Sequence, residues 1–515
     1  MEKQSIYEMI KDNIGEDGKL SKDFALNDSY APNALNFAPG ALDGCGVYGH
    51  YNVGANNPDG AAANIVRLVK EYLETDDNSL IEEVGVILAE HHALSVVDIV
   101  LNSIRDDHEG MDLQKLIEFA FDLAKTSWDV ELVKLGISFL GLFDFGDYEN
   151  IKNVVAILAL YDEFTLFSVV AASKWSDGNG LIFWIAQRVD AWGKIHAVER
   201  LEPETETIRE WILKEGCTNG VMDAYLGLTC AVKGDLISAL RQDSIDDELF
   251  ESIAVIIDAL LDEGPVEGIS EYEHAEEALA LFLQHAEKHT VSVKHLWHIL
   301  NVMTFIEDSE IANREDIMTH CSVITSNPIW KERILATIDE CDDVFYAVNT
   351  ASRISFDITD KLLPIIKQKP LENSHYVNRF FDNPSAAAEL IALYESVLPL
   401  DEMASGMGDY LFSDRLRIEY SCLDYILPCL AAYPLQGLKL LKTGLSSPVV
   451  RTRNMACRAL SGWVKLQGKP IADISPELFT EIEKIHDIEV NEQTKETLRK
   501  LINGETADAD ESVGE

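Results

Sequence analysis

Apolar residues recur at helical spacing along most of the chain. Such sets mark one face of an α-helix, and they repeat in successive segments separated by short polar breaks. Three examples are Leu80, Val84, Ile87 and Leu88; Leu279, Phe282, Leu283 and Ala286; and Leu296, Ile299, Leu300 and Met303. The period-2 alternation that is typical of β-strands is almost absent. The pattern therefore predicts an all-α fold.

The same pattern divides the chain into five ranges. Residues 1–60 are rich in Gly, Asn and Pro and are expected to form irregular loops, because these residues favour turns over helix. Helical periodicity runs through 61–306, which predicts a helical-repeat array, and becomes less regular over 307–384, where prolines recur. Helices resume over 385–503. The acidic range 504–515 is nearly free of large apolar residues, which predicts a disordered tail.

A glycine motif in the first range has the spacing of dinucleotide-binding proteins. Gly44, Gly46 and Gly49 match G-x-G-x-x-G. A pyrophosphate site needs this motif to follow a strand and to open a helix. Pro39 and Gly40 precede the motif, and a polar run with a further glycine follows it, so neither flank fits. We therefore expect loop structure from Phe37 to Gly60.

The segment 447–460 carries the most specific repeat signal. It resembles the second helix of a HEAT repeat, with Pro448 at the helix start and the small residues Ala456 and Ala459 further on. The proline pre-sets the first helical turn, and the small residues let neighbouring helices approach closely. An arginine of the segment can bond carbonyls or acids of the adjacent repeat. With the long series of helices, this predicts an α-solenoid of HEAT/armadillo-like antiparallel helix pairs.

Charge narrows the possible partners. The 515 residues include 89 Asp and Glu against 42 Lys and Arg, a formal net charge of −47. Nucleic-acid binding draws much of its affinity from Lys and Arg on phosphates, and anionic membranes attract basic segments. The balance argues against both kinds of partner. It favours a basic protein or peptide that is steered by charge, although acidity that serves solubility alone is an open alternative.

Targeting signals and cysteines favour the cytoplasm. The first residues lack the basic and apolar regions of a signal peptide, and no stretch has the length and apolarity of a membrane span. None of the 8 cysteines forms a C-x-x-C pair, and most lie in apolar helical patterns. They are therefore expected to be reduced core residues of a cytoplasmic protein.

The densest run of chemically capable residues lies between Asp190 and Leu201. Its candidate groove residues, which could bind a ligand or partner, are Trp192, Lys194, His196, Glu199 and Arg200. Because His196 and Arg200 are spaced i, i+4, they can share one helix face. The alternative is a buried polar network between two repeats, in which the same side chains satisfy carbonyls at a helix end.

This run also carries a family resemblance. Together with residues 208–213 and 216–219, residues 192–201 resemble a bacterial family of large HEAT-like repeat proteins, some of which are labelled limonene hydroxylase. The resemblance implies the α-solenoid fold, and the label implies oxygen chemistry from a haem, flavin or non-haem iron. The sequence contains no Cys-centred haem-ligand loop and no convincing dinucleotide fold. The resemblance therefore favours the fold over any activity, and no cofactor is expected.

Histidines cluster in a second place. His285 and His289 are spaced i, i+4 on one predicted helix, and His295 and His298 are spaced i, i+3 on the next. Two facing helices with such pairs could bind a transition metal. All four histidines flank apolar stripes rather than interrupting them, which is typical of histidines at a core boundary. They are therefore weak candidates, and no metal is expected.

These observations favour a non-enzymatic HEAT-like scaffold that binds a protein or peptide partner in its concave groove. The alternative is an enzyme, either an oxidoreductase of the hydroxylase type or a metal-dependent activity at the histidine cluster. The sequence does not predict the oligomeric state.

Overall fold

The computed structural model describes residues 4–26, 37–51, 53, 57–146, 148–264, 266–309, 311, 313–341, 343–408, 410 and 417–506. Within these ranges the secondary structure is helical, with two isolated β-bridges, Ile14 to Leu20 and Tyr410 to Val449, and no strand. The prediction of an all-α fold is confirmed.

The α-helices of the described residues are α1 (Ile6–Lys11), α2 (Ala41–Val47), α3 (Pro58–Thr75), α4 (Ser79–His91), α5 (Ala93–Asp106), α6 (Leu113–Thr126), α7 (Val130–Leu140), α8 (Glu149–Leu158), α9 (Asp162–Ala172), α10 (Gly178–Ala186), α11 (Ala191–Arg200), α12 (Glu206–Glu215), α13 (Ala224–Lys233), α14 (Leu236–Leu240), α15 (Asp247–Leu261), α16 (Ala275–His289), α17 (Val293–Asp308), α18 (Arg314–Thr325), α19 (Ile329–Glu340), α20 (Val344–Arg353), α21 (Thr359–Gln368), α22 (Pro384–Val397), α23 (Leu400–Met403), α24 (Ile418–Ile426), α25 (Leu438–Leu445), α26 (Val450–Gln467), α27 (Ile471–Ile474), α28 (Pro476–Ile488) and α29 (Glu492–Ile502). The same described ranges contain three 3-10 helices, Ile269–Glu271, Ser374–Phe380 and Pro428–Ala432.

The chain divides into two compact units at Trp330 and Lys331. The first unit holds α1 to α18, and the second holds the helices from α20 onward. The division falls inside the range 307–384, where the periodicity of the sequence becomes less regular. Each unit has its own buried aromatic residues, such as Phe139 and Phe282 in the first and Trp463 in the second.

In the first unit, the odd-numbered helices from α3 to α17 form a series in which each helix packs on the next. The contacts join α3 to α5, α5 to α7, α7 to α9, α9 to α11, α11 to α13, α13 to α15 and α15 to α17. Consecutive helices also pack, as α6 does on α7 and α10 on α11. Neighbour-to-neighbour packing of this kind is typical of repeat proteins.

In the second unit, residues 450–460 of the segment 447–460 form the start of α26. Arg453 is fully buried there, and its Nε and Nη2 donate to the two carboxylate oxygens of Glu489 at 2.8 and 2.7 Å. Its Nη1 donates to the carbonyl of Ser447 at 2.8 Å. The Nε of Arg451 lies 3.6 Å from Oδ2 of Asp424 on α24. Arg453 of this segment therefore bonds one acid and one carbonyl, and Arg451 lies near a second acid.

The expectation of loop structure throughout 37–60 is wrong for Ala41–Val47, which form α2, and α3 begins at Pro58. Glycine inside a helix costs about 1 kcal/mol relative to alanine, so Gly44 and Gly46 argue against helix locally. Packing against distant helices overrides that preference. Ile6–Lys11 at the start of the chain are helical as well. Of the predicted tail 504–515, residues 507–515 lie outside the described residues.

Candidate functional site

Four of the five predicted groove residues, Trp192, His196, Glu199 and Arg200, lie around Tyr48 at the end of α2. We use the name α2 segment for residues 37–51, and the name α11 face for the side chains of Trp192, His196 and Glu199 on α11 with Tyr225 on α13. The α2 segment packs on this face and on α9. The surface that the sequence predicts as a binding groove is therefore covered by a segment of the same chain.

Aromatic rings form the centre of the contact. The ring centroid of Tyr48 lies 4.6 Å from that of Tyr225 and 6.0 Å from that of Trp192. Trp192 and Tyr225 lie 5.1 Å apart, and the His50 ring lies 6.1 Å from Tyr225. Tilted ring pairs at these distances are favourable beyond the area that they bury.

Two glycines of the α2 segment are required by the fit. A Cβ atom on Gly44 would lie 2.2 Å from Cε3 of Trp192, so the helix can rest on the indole ring only where it lacks a side chain. Gly40 has a φ of +71°, which L side chains rarely adopt, and a Cβ there would lie 2.6 Å from the carbonyl oxygen of Asp162. The contact is therefore specific for the sequence of this segment.

Glu199 forms the polar end of the site. The hydroxyl of Tyr48 donates to Oε1 of Glu199. Nη1 of Arg200 donates to Oε2 of Glu199 at 3.2 Å and to the carbonyl of His196 at 3.1 Å. Burial would raise the pKa of Glu199, but the hydrogen bond from Tyr48 and the charge of Arg200 help to lower it. The carboxylate is thus held ionised as the acceptor for Tyr48.

His196 is fully buried beside this carboxylate. Its Nδ1 lies 3.8 Å from Oε2 of Glu199, beyond hydrogen-bonding distance, and neither ring nitrogen hydrogen-bonds to any described residue. Burial lowers the pKa of His196, which keeps the imidazole neutral. The ring stacks on Trp192 with centroids 6.1 Å apart. His196 therefore packs against the indole ring of Trp192.

A buried charge cluster holds the other end of the α2 segment. Nζ of Lys134, on α7, lies 2.7 Å from Asp43 of α2, 3.0 Å from Glu131 and 2.6 Å from Glu163 of α9. The side chains of Lys134 and Asp43 are 1% and 2% exposed. The backbone N–H of Gly40 donates to Oε2 of Glu163 at 2.8 Å. One ammonium thus faces three carboxylates.

The cluster shifts the pKa of each of its buried members. Burial raises the pKa of Asp43 to about 6, because Lys134 only partly offsets the loss of water and the two nearby glutamates. Burial would raise the pKa of Glu131, but Lys134, His92 and the N–H of Ala93 lower it to about 2. Burial would lower the pKa of Lys134, but the three carboxylates raise it. Among Asp43, Glu131 and Lys134, only Asp43 has a pKa shift that disfavours its charged form.

The structure does not bring all five predicted groove residues together. Trp192, His196, Glu199 and Arg200 lie around Tyr48, whereas Lys194 points to another side of α11. Its Nζ lies 5.8 Å from the ring centroid of Trp211 on α12. Burial lowers the pKa of Lys194. Residues two apart on a helix differ by about 200° in direction, which explains the separation.

Sequence reasoning missed Asp43, Tyr48, Lys134 and Tyr225. One signal was present, since Lys134 is the sole charge in the apolar run from Leu132 to Leu140. A charge in such a run is almost never buried unless it is paired. Nothing in the local sequence places Tyr48 beside Glu199, because 151 residues separate them.

The four candidate metal histidines face separate partners. Nε2 of His285 lies 3.0 Å from the carbonyl of Leu240, and Nδ1 of His289 lies 2.7 Å from Oδ1 of Asp247. His295 pairs with Glu251. Nδ1 of His298 lies 3.2 Å from Oδ2 of Asp258. Across the described ranges, no three His, Cys, Asp or Glu side chains form a group that could hold a metal ion.

No protein-family model, no curated protein and no solved structure matches this chain. The resemblance to HEAT-like proteins therefore stays a prediction. In the part of the chain that the structure describes, no helix combines the length and the apolarity needed to cross a membrane.

Proposed function

We propose that the protein is a non-enzymatic HEAT-like α-solenoid that binds a protein or peptide partner on the α11 face. The observation that carries the proposal is the α2 segment itself. A short stretch of polypeptide is held there by aromatic rings and by polar contacts at both ends. The face therefore has the chemistry of a peptide-binding surface.

The packing of the first unit supports a solenoid. Every second helix from α3 to α17 contacts the next of the series, so residues on these helices can form one continuous surface. Repeat arrays use such surfaces, usually concave, to bind extended partners. The α2 segment contacts α9, α11 and α13, which are consecutive members of the series.

The charge supports a partner that is basic as a whole. The chain carries a net charge of −47, and Glu131, Glu163 and Glu199 all lie beneath or beside the α2 segment. A basic partner would associate quickly with such a protein at low ionic strength.

The proposal is tested with full-length bait protein in a native lysate. Wild type and Trp128→Leu, a substitution at an exposed tryptophan, should recover the same partner. Trp192→Leu and the gentler Glu199→Gln should lose it, while circular dichroism shows unchanged helicity. The purified partner should then bind wild type at least ten-fold more tightly than either α11-face variant.

The same sample also tests the alternative of an enzyme that depends on a cofactor or a metal. Its absorbance spectrum and metal content are measured before the lysate is added. A flavin or haem spectrum, or stoichiometric iron or zinc, would overturn the proposal. Equal recovery of the partner by all four proteins would also overturn it, because binding would then lie elsewhere.

A further inference from the structure

We infer that the α2 segment occupies the α11 face in cis, and that the external partner binds by replacing it with a peptide of matching chemistry. That peptide is a short helix with a side-chain acceptor for Lys134, a glycine directly after it, and a hydroxyl-bearing aromatic residue five positions after the acceptor. The inference rests on the proposed function and specifies the partner.

The spacing of the required groups follows from the two ends of α2. Asp43 reaches Lys134, and Tyr48 reaches Glu199. Five residues of helix rise about 7.5 Å along the helix axis, so a partner must carry its two polar residues about that far apart along its own axis. A segment with only one of the two groups would leave either the Lys134 cluster or Glu199 without the contact that α2 supplies.

The glycine requirement follows from Trp192. The Cβ position of Gly44 lies 2.2 Å from the indole ring, which is itself buried between α2 and Tyr225. The backbone of a bound helix must approach the ring this closely for its acceptor and its aromatic residue to reach their partners together. Any larger residue after the acceptor would hold the helix away from the face.

The α2 segment is suited to being replaced. The helix has seven residues, and its buried residues are Asp43 and Gly44, so it buries little apolar side chain of its own. Isolated helices of this length are unstable in water. Asp43 also adds a third carboxylate around one ammonium, whereas a neutral acceptor such as an asparagine amide would not. Burial raises the pKa of Asp43, which agrees with this cost.

Attachment in cis explains why the face is closed in the free protein. A tethered segment has an effective concentration on the order of millimolar, so an external peptide of equal affinity cannot compete at micromolar concentration. The partner must either bind more tightly or meet a protein whose α2 segment has been released.

The test uses full-length Gly44→Leu protein, in which the new side chain would clash with Trp192 and release the segment. A fluorescein-labelled peptide with the wild-type sequence of residues 37–51 is titrated and its anisotropy measured. It should bind the variant at least ten-fold more tightly than it binds wild type. Gly180→Leu is the matched control, because a Cβ there meets nothing within 4 Å, and it should bind like wild type.

The peptide series tests the chemistry. Peptides with Gly44→Leu or Tyr48→Ala should lose at least ten-fold in affinity for the opened protein. A peptide with Asp43→Asn should bind at pH 7.5 at least as tightly as the wild-type peptide. If Gly44→Leu protein fails to fold, Tyr48→Ala protein takes its place, because it removes both the ring and the hydroxyl without a clash.

Three results would overturn the inference. The first is failure of the opened, folded protein to bind the wild-type peptide, and the second is equal binding of that peptide by wild type and the opened protein. A wild-type dimer that the peptide dissociates would assign the face to a second copy of the chain. The assay uses no cellular partner. If the opened protein binds the peptide but no partner is recovered from the lysate, only the proposed function is contradicted. If a partner is recovered but the opened protein does not bind the peptide, only this inference is contradicted.

Discussion

Replacement of Lys134 by methionine should destabilise the first unit in a pH-dependent way. Among the residues that the structure describes, Lys134 carries the one cationic group within 3.0 Å of Asp43, Glu131 and Glu163, and its side chain is 1% exposed. Methionine fills similar space but carries no charge, so the buried Asp43 and the partly buried Glu131 and Glu163 lose their ammonium. Breaking a buried ion pair by removing one partner costs about 3–5 kcal/mol.

The direction of the pH effect follows from the pKa shifts. The pKa of Asp43 is raised from 3.8 to about 6 in the folded protein, so its burial lowers stability as the pH rises through that range. That shift of about two pH units already corresponds to about 3 kcal/mol, and loss of Lys134 would raise this pKa further. Glu131 has the opposite shift, to about 2, so it stabilises the fold above its unfolded pKa, and the charge of Lys134 is the largest of the causes that lower its pKa. The loss should therefore be largest at pH 8 and smaller at pH 5, where the carboxylates can bind protons.

The assay is urea unfolding at pH 8, 6.5 and 5, with hydrogen exchange of α2 and α7 to locate the change. Lys70→Met is the matched control. Its Nζ lies 2.6 Å from Oδ2 of Asp107, a bond of the same length as that of Lys134 to Glu163, but the side chain of Asp107 is 76% exposed. Solvent screens such a pair, so its loss should have little effect. Equal stability of the two variants at pH 8, or a loss for Lys134→Met that does not shrink by pH 5, would refute the reasoning.

Four further substitutions test Asp43 and His196 in the first unit and Arg453 in the second. In wild type, the raised pKa of Asp43 should make stability fall as the pH rises from 4 to 6, and Asp43→Asn should flatten this fall in urea unfolding. An unchanged pH profile would show that Asp43 does not cause the fall. Arg453→Met should cost about 3–5 kcal/mol in urea unfolding of the second unit, because the fully buried Glu489 loses both of its hydrogen bonds to the guanidinium; a loss below about 1 kcal/mol would count against it. His196→Leu should change the unfolding free energy by less than about 1.5 kcal/mol, because no side-chain hydrogen bond is lost and the volume is nearly kept. His196→Ala leaves a cavity and should cost about 2–5 kcal/mol. Equal unfolding free energies for the two variants in calorimetry would contradict this.

The helical series could be predicted because its signal is local. Helices such as α4, α16 and α17 place apolar residues on one face and polar residues on the others, and this spacing is visible within a dozen positions. The α2 helix could not be predicted this way. Its glycines lower helix propensity, and what stabilises it is contact with Trp192 and Lys134, far away in sequence.

The candidate site was predictable in part for the same reason. Trp192, His196, Glu199 and Arg200 lie on one short helix, so their spacing indicates a shared region, and the structure places them around one tyrosine. The helical angle separates Lys194 from them. The covering α2 segment could not be predicted, because the sequence around Tyr48 does not indicate which carboxylate its hydroxyl bonds.

The contact between Tyr48 and Glu199 also sets an order of events during synthesis. The two residues are 151 positions apart, and ribosomes add about 5–20 residues per second, so the α2 segment waits about 8–30 s before Glu199 has been made. Tyr225 follows later still. The contacts of Tyr48 with Glu199 and Tyr225 can therefore be complete only after Tyr225 has been synthesised. A nascent chain with its α11 face complete and its α2 segment not yet docked would meet other peptides before the face is closed.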